Sequence, residues 1–560
     1  MSFESSRPTP TGAAAVLAIG LLLSLVEPAD AQPQDQPALL RAARELSGAS
    51  KWAEAAVAWQ QVVNINPHLG EAWQSLGTAR YQAGQYREAI PAFERALELR
   101  AGYPWDMSYN IARCHAVLRE KEQALTWLKK SFADGYRRLH EARDHADFMS
   151  LHDEPRFCEL VAKVDTSTFS RDQGWRYDLQ LLVRELKRIH YDLSKKPAPA
   201  GFDALARNLH DTIPVLSDTQ VEASFMKLAA LAGDAHTTFA FFLRNRHQAV
   251  PVQFYLFAEG LFVIAAASKY TDLADAQVLQ FGDQPVDKVL TALEPVISRD
   301  NQIWLKHMSP LLMRYPAILN GLDLIPKSNE MTLTVRDASG RERQVTLTAE
   351  ARTPPNDWTS ARDPVIRPMY LKNRQAAYWF EYQPATRTVY FQYNAVRNDP
   401  GESLEQFCGR LFAFVDDSAV DRLVIDMRWN DGGNNFLNRP LVHGLIRNTK
   451  VNQPGKLFVI IGRNTFSAAM CGATEIERRT SAVFVGEPTG SSPNFVGEMV
   501  MLNLPYSKLV ASISDLYWQN SVAMDYRAWI APAVYTPPTF ADFRANRDPA
   551  LEAILAYRAQ

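Results

Sequence analysis

One stretch, residues 457–490, limits the folds open to this chain more than any other. It opens with LFVII at 457–461, a run of β-branched and aromatic residues that predicts a strand buried on both faces. Arg463 and Asn464 break the run, and the segment after Ser467 is rich in Ala, Glu and Arg, which predicts a helix. Ser467 therefore lies where a buried strand turns into a helix.

A serine in this position has two interpretations. Serine is a good helix N-cap, because its hydroxyl satisfies an amide that the first turn leaves unpaired. The same unpaired amides can stabilise an oxyanion, so the position also suits a nucleophile. Taken alone, the motif favours a cap for Ser467. The motifs found elsewhere in the chain favour catalysis.

The length and composition predict a soluble protein of several domains. A chain of 560 residues is too long for one ordinary core, and its 47% hydrophobic and 22% charged residues are typical of globular proteins. The formal net charge of −2 gives no reason to expect nucleic acid as a partner. The four cysteines have no metal-ligand spacing, so we expect neither a metal nor another cofactor.

The first 31 residues have the features of a signal peptide. Residues 13–26 form an apolar run that is short for a membrane span, and residues 29–31 (ADA) form a small-x-small cleavage site before Gln32. We therefore expect an exported protein, periplasmic or secreted, with no stable membrane span after cleavage. The alternative is an uncleaved anchor.

Residues 38–165 are helical in pattern and repeat at a period of about 34, the length of a tetratricopeptide unit. The positions that carry the pattern are Trp73, Leu76, Gly77, Gly84, Tyr86, Ala89, Phe93 and Ala96. This predicts an α-helical solenoid of about three units, since one unit cannot bury its own face. Such an array suits a protein- or peptide-binding surface, and a spacer is the alternative.

Three further regions follow the repeats. Residues 170–245 read as helices, with His236 in a GDAHT loop before a strand-like FAFFL, and residues 250–355 are β-rich. In residues 360–560 strands and helices alternate, which predicts a mainly parallel sheet. There Gly432 and Gly433 directly follow the strand LVIDM, so their amides can line a cavity.

Four motifs stand in one order along the chain: GDAHT at 233–237, VIDMRWNDGG at 424–433, TFSAA at 465–469 and GEPTG at 486–490. Together they resemble the S41 serine peptidases, the tail-specific or C-terminal processing proteases. The resemblance covers about residues 170–560. It implies an α/β catalytic core with a ClpP/crotonase-like sheet, a helical N-terminal subdomain and a PDZ-like β insert, with the tetratricopeptide region outside it.

The resemblance also implies roles for individual residues. Where the Ser–Lys branch of the family has its lysine, this chain reads TGSSPNF at 489–495. His236 matches the histidine of the other branch, to which the tricorn core belongs. By resemblance, Ser467 is the nucleophile and His236 the general base, with an oxyanion hole formed by the amides of Ala468 and of Gly432 or Gly433. An imidazole base predicts activity that falls below a pH of about 6.5.

The acid that should orient the imidazole is less evident. The family's position falls near Tyr526, so the adjacent Asp525 is the candidate, and Asp234, two residues before His236, is a second that more readily holds the loop. We therefore expect an exported serine peptidase acting on a peptide or protein. The alternative is a degenerate member of the family that binds a peptide or small ligand.

Overall fold

The computed structural model describes residues 36–351, 358–360, 362 and 367–558. They form two compact units: one extends to Tyr136 and includes Ala146–Leu151, and the other comprises Arg137–His145 and the chain from His152 onward. The predicted signal peptide lies outside the described residues. Within them, no helix combines the length and the apolar character needed to cross a bilayer.

The first unit is an array of antiparallel helix pairs, as the repeat predicts. Its helices are α1 (Gln36–Gly48), α2 (Trp52–Ile65), α3 (Gly70–Gln82), α4 (Tyr86–Glu98), α5 (Pro104–Val117) and α6 (Lys121–Ala133). Gly77 of α3 faces Phe93 of α4, and a Cβ at Gly77 would lie 2.6 Å from that ring. The small residue therefore lets the two helices of this pair approach.

The second unit begins with helices, which are α7 (Leu139–Asp144), α8 (Pro155–Leu160), α9 (Arg171–Ile189), α10 (Phe202–Thr212) and α11 (Asp218–Ala230). Capping boxes at Ser170 and Ser217 fix the starts of α9 and α11. The prediction of a strand at FAFFL is wrong, because Ala240–Asn245 is a 3-10 helix. Phe239 and Leu243 are both buried and lie four residues apart, a helical and not an alternating spacing.

The β-rich insert is a seven-stranded sheet in which every pairing is antiparallel. Its strands are β1 (Val252–Phe257), β2 (Gly260–Ala267), β3 (Gln277–Phe281), β4 (Gln284–Pro285), β5 (Glu330–Arg336), β6 (Glu342–Thr348) and β7 (Trp358–Thr359). Three helices lie between β4 and β5, namely α12 (Val286–Leu293), α13 (Gln302–Leu312) and α14 (Pro316–Gly321). The region is thus β-rich as predicted.

The α/β core is a six-stranded sheet in the order β17–β12–β11–β10–β9–β8, parallel except for β8. Its strands are β8 (Tyr378–Gln383), β9 (Thr388–Tyr393), β10 (Arg422–Asp426), β11 (Leu457–Ile461), β12 (Val483–Gly486) and β17 (Val534–Tyr535). Around it are helices α15 (Met369–Lys372), α16 (Leu404–Asp417), α17 (Arg439–Arg447), α18 (Ala468–Arg479), α19 (Phe540–Arg544) and α20 (Pro549–Ala556). All five residues of β11 are buried, which confirms the strand predicted at 457–461.

This topology brings two loops together. Because β10 and β11 are parallel neighbours, the segments that follow them emerge at the same edge of the sheet. Four short strands complete the core: β13 (Asn494–Gly497) pairs with β16 (Leu516–Gln519), and β14 (Val500–Asn503) pairs with β15 (Val510–Ile513). Thr238 bridges to Ser512 of β15, which holds the GDAHT loop against these strands.

Candidate active site

Ser467 has a strained backbone conformation. Its φ is 52° and its ψ is −126°, a region that residues with a Cβ rarely adopt. It lies in the sharp turn between β11 and α18. Its side chain makes no capping hydrogen bond, although it occupies the cap position. The capping interpretation therefore fails, and the strained turn points the hydroxyl elsewhere.

The hydroxyl of Ser467 lies 3.0 Å from Nε2 of His236, within hydrogen-bonding distance. The imidazole stacks against two phenyl rings, with Phe466 at 4.4 Å and Phe495 at 5.6 Å between ring centroids. The serine and histidine that the motifs single out are thus brought together from positions 231 residues apart.

Burial controls the protonation of His236. Loss of hydration lowers its pKa to about 4, and the nearby charge of Asp234 only partly offsets this. The ring is therefore neutral at physiological pH and able to accept a proton. Its Nδ1 atom is buried without a hydrogen-bond partner among the described residues. We therefore expect the acid limb of any activity near pH 4 and not near 6.5.

Gly432 approaches Ser467 so closely that no side chain fits. A Cβ there would lie 2.7 Å from Cβ of Ser467 and 2.8 Å from the amide nitrogen of Ala468, and its φ is +111°. Gly433 is equally constrained, since its φ is +136° and a Cβ would lie 2.2 Å from the carbonyl oxygen of Val396. Both glycines of the DGG motif are therefore required by geometry.

The backbone amides that are candidates for an oxyanion hole differ in whether they already donate a hydrogen bond. The amide of Gly432 donates to Oδ1 of Asn430 at 3.0 Å, so its hydrogen is already engaged. The amides of Gly433 and Ala468 have no acceptor among the residues that the structure describes. Of the two glycines left open by the sequence, Gly433 is thus the one with a free donor, together with Ala468.

Asp234 holds the GDAHT loop, as its position beside His236 suggests. Its Oδ1 accepts the amides of His236 at 2.9 Å and Thr237 at 2.8 Å. Ser514 donates to the same oxygen at 2.5 Å, and Oδ2 lies 2.8 Å from Nε2 of His190. Burial favours the neutral acid, but these hydrogen bonds and the two imidazoles outweigh it and lower the pKa of Asp234.

Asp525 does not orient the imidazole in this structure, so that expectation is wrong here. Its carboxylate is paired with Arg527 two residues later, at 2.8 Å, and this hydrogen-bonded pair depresses the pKa of Asp525. Arg527 in turn pairs with Glu477. The carboxylate is therefore committed to a surface ion-pair network, while Nδ1 of His236 stays without a partner.

A second carboxylate, which the sequence did not single out, lies behind the loop. Asp300 accepts the amide of Ala235 at 3.0 Å, and the hydroxyl of Ser491 donates to it. Burial and the charge of Asp234 raise the pKa of Asp300 to about 7. Ser491 belongs to the TGSSPNF segment, so the segment that lacks the lysine of the Ser–Lys branch here supports the histidine loop.

The pair opens into a cavity of about 970 Å³. Aromatic and aliphatic side chains dominate its wall, among them Phe241, Trp304, Met308, Leu311, Phe436, Phe495, Met499 and Trp518. Cys471 also lines it, but burial raises the pKa of its thiol to about 12, which leaves it inert. Within the described residues, no group of three His, Cys, Asp or Glu side chains is placed to hold a metal ion.

The fold and the site together define an α/β protein with a serine–histidine pair at the carboxyl edge of a parallel sheet. In comparisons with known proteins, the profile of the tetratricopeptide repeat family matches residues 75–136, which confirms the repeat over that range. A search of curated proteins finds no match.

Several solved structures are similar to this chain. Mature CPAF, in a complex with lactacystin, is 12% identical with a TM-score of 0.48, over 68% of this chain and 97% of that one. A photosystem II D1 C-terminal processing protease is 13% identical with a TM-score of 0.35, over 68% and 97%. A putative S41 protease from Bacteroides fragilis is 11% identical with a TM-score of 0.28, over 55% and 82%. All three TM-scores lie below 0.5.

Proposed function

We propose that this chain is a serine peptidase in which Ser467 is the nucleophile and His236 the general base. The observation that carries the proposal is the combination at Ser467 of a strained backbone and a hydroxyl 3.0 Å from Nε2 of His236. A helix cap would need neither feature. Strain of this kind costs on the order of 1–3 kcal/mol and is found mainly at functional sites.

The proposed reaction is acyl transfer in two steps. Oγ of Ser467 attacks the carbonyl carbon of the scissile bond while Nε2 of His236 takes the hydroxyl proton. The carbonyl oxygen becomes an oxyanion that the amides of Gly433 and Ala468 stabilise, at about 3 kcal/mol per donor. The imidazolium then protonates the leaving amine, and a water molecule releases the acyl group by the same route.

The largely apolar wall of the cavity supports substrates with apolar side chains near the scissile bond. The tetratricopeptide repeats support the further proposal that a protein or peptide is held by the first unit. Hydrogen exchange across residues 36–136 tests this, because a bound substrate should slow exchange there. Unchanged exchange with a saturating substrate would contradict it.

Export to the periplasm or the exterior is also part of the proposal. It rests on the apolar run and the cleavage site within residues 1–31. N-terminal sequencing of protein recovered from the producing cell should find Gln32 first. An intact N-terminus in a membrane fraction would support the anchor instead.

The central experiment is labelling of the full chain with a fluorophosphonate. The wild type should be labelled, and Ser467→Ala and His236→Ala should each abolish labelling. Ser194→Ala and His210→Ala are the matched controls, since both side chains lie in exposed turns or helix ends away from the cavity. Labelling that survives in Ser467→Ala, or is absent from folded wild type, would contradict the proposal.

One observation favours a second candidate, a binding protein on the same scaffold. Nδ1 of His236 has no acceptor among the described residues, so the orienting carboxylate expected of a triad is missing. A binder of apolar peptides would keep its affinity in Ser467→Ala and would not be labelled. Peptide binding by calorimetry on both variants separates the two functions.

A further inference from the structure

We propose that Asp234 is the anion that stabilises the imidazolium formed by His236. Its carboxylate holds the loop backbone and acts on the ring by its charge, without a hydrogen bond to Nδ1. His190 and Ser514 are then positioning residues that keep this carboxylate ionised. The inference rests on the proposed function and adds the member that the serine–histidine pair lacks.

The carboxylate of Asp234 is built to carry a charge. Four donors converge on it: the amides of His236 and Thr237, the hydroxyl of Ser514 and Nε2 of His190. A carboxylate that accepts several hydrogen bonds stays ionised even when it is buried. Asp234 is only 2% exposed, and no Lys or Arg pairs with it among the described residues. Its charge is therefore poorly screened by solvent.

The geometry fixes the tautomer of His190. Its Nδ1 accepts the amides of Asp192 and Leu193, each at 3.2 Å, so that nitrogen carries no proton. Nε2 must then carry the hydrogen and donate it to Asp234. His190 is fully buried, at the end of α9, and thus acts as a fixed donor.

Among the residues that the structure describes, no carboxylate hydrogen-bonds the imidazole of His236, and the charge that acts on it is that of Asp234. It is held by the amide of His236 itself, and it raises the pKa of that imidazole against the larger effect of burial. Phe466 and Phe495 stack against the ring. Within the described part of the chain, the other titratable side chains that hydrogen-bond the loop are His190 and Asp300, and Asp300 contacts the amide of Ala235 and not the imidazole.

Asp234→Asn removes the charge of the carboxylate but keeps an oxygen that can hold the loop backbone. The carboxamide oxygen can still accept the amides of His236 and Thr237 while the charge is lost. Its NH2 group then faces the N–H of His190, so thermal unfolding of the variant is measured beside its labelling. The expected result is a fall in the fluorophosphonate inactivation rate kinact of about 10- to 100-fold with KI unchanged, since a nearby opposite charge is worth about one to three pKa units. Asp211→Asn, a largely exposed carboxylate on α10, is the control and should leave kinact unchanged.

Ser514→Ala gives a second test that removes one of four hydrogen bonds and keeps the charge. A less satisfied carboxylate attracts protons more strongly, so the acid limb of kinact should move to higher pH. In Asp234→Asn the limb should move to lower pH, because the imidazolium loses its anion. A purely structural role would not move the limb in opposite directions.

A readout that needs no catalysis keeps this inference distinct from the peptidase proposal. Titration of the imidazole nitrogens of His236 by NMR should give a lower pKa in Asp234→Asn and a higher one in Ser514→Ala. The inference is overturned if neither variant shifts the pKa of His236 by more than about 0.3 units, or if Asp234→Asn keeps kinact within threefold of the wild type. Asp234 would then only hold the loop in place. Absence of labelling in the wild type would overturn the peptidase and leave the titration to decide this point.

Discussion

Substitution of Gly432 by alanine should damage the site far more than the fold. The added Cβ would lie 2.7 Å from Cβ of Ser467 and 2.8 Å from the amide nitrogen of Ala468, against an ordinary carbon–carbon contact of about 3.5–4.0 Å. Relief therefore requires a shift of about 1 Å in Ser467 or in the amide that would hold the oxyanion. A φ of +111° adds backbone strain.

The magnitudes follow from these two effects. The strain and overpacking should lower the free energy of unfolding by about 2–4 kcal/mol. Displacement of an oxyanion donor or of the reacting atom by about 1 Å typically costs 100-fold or more in rate. Labelling by a fluorophosphonate should thus fall at least 100-fold at a temperature where the variant is still folded.

Gly409→Ala is the matched control for this variant. Gly409 lies inside α16 with nothing within 4 Å of the added Cβ, so the substitution should stabilise the chain by about 0.5–1 kcal/mol and leave labelling unchanged. Kinetics of labelling and thermal unfolding of both variants give the comparison. A Gly432→Ala protein that is labelled within threefold of the wild-type rate would refute the close approach on which the site depends.

Three further predictions follow from particular contacts. The labelling rate should stay level from pH 8 to about 5 and fall through about 4, where the neutral His236 is lost; a limb near 6.5 would mean a solvated imidazole. Gly77→Val should lower the unfolding free energy by about 1–3 kcal/mol through its clash with Phe93, whereas Gly48→Ala should not. Equal melting temperatures for the two variants would contradict this. The raised pKa of Asp300, about 7 against 3.8, opposes folding increasingly as pH rises through that interval. Asp300→Asn should therefore stabilise the chain at pH 8 by about 1 kcal/mol, allowing for its partial exposure, but not at pH 4, as denaturant titration would detect.

Local patterns were enough to predict the frame of the site. A continuous apolar run predicted β11, and the change of composition after it predicted α18, because both elements are set by residues close in sequence. The motifs then identified Ser467 and His236, which the structure brings to 3.0 Å. Short-range signals do not decide a segment such as 239–243, where burial four residues apart produced a 3-10 helix in place of a strand.

Of the residues that support the histidine, the sequence indicated Asp234 but neither His190 nor Ser514. His190, Asp234 and Ser514 come from three distant segments, and only the packing of α9 against the strands near β15 brings them together. No spacing marks His190 as special, since it looks like the last polar residue of an amphipathic helix. Asp525 failed as a candidate for a local reason, because Arg527 two residues away captures its carboxylate.

The strained turn at Ser467 also bears on how such a chain can drift. Any residue there with a Cβ holds a φ of 52° at an energetic cost, and glycine would relax it at once. Substitution of this serine by glycine would therefore relieve backbone strain in the folded state. In a lineage that no longer used this hydroxyl, substitution of the serine by glycine would therefore be favoured by stability. This sequence has kept the serine in spite of that cost.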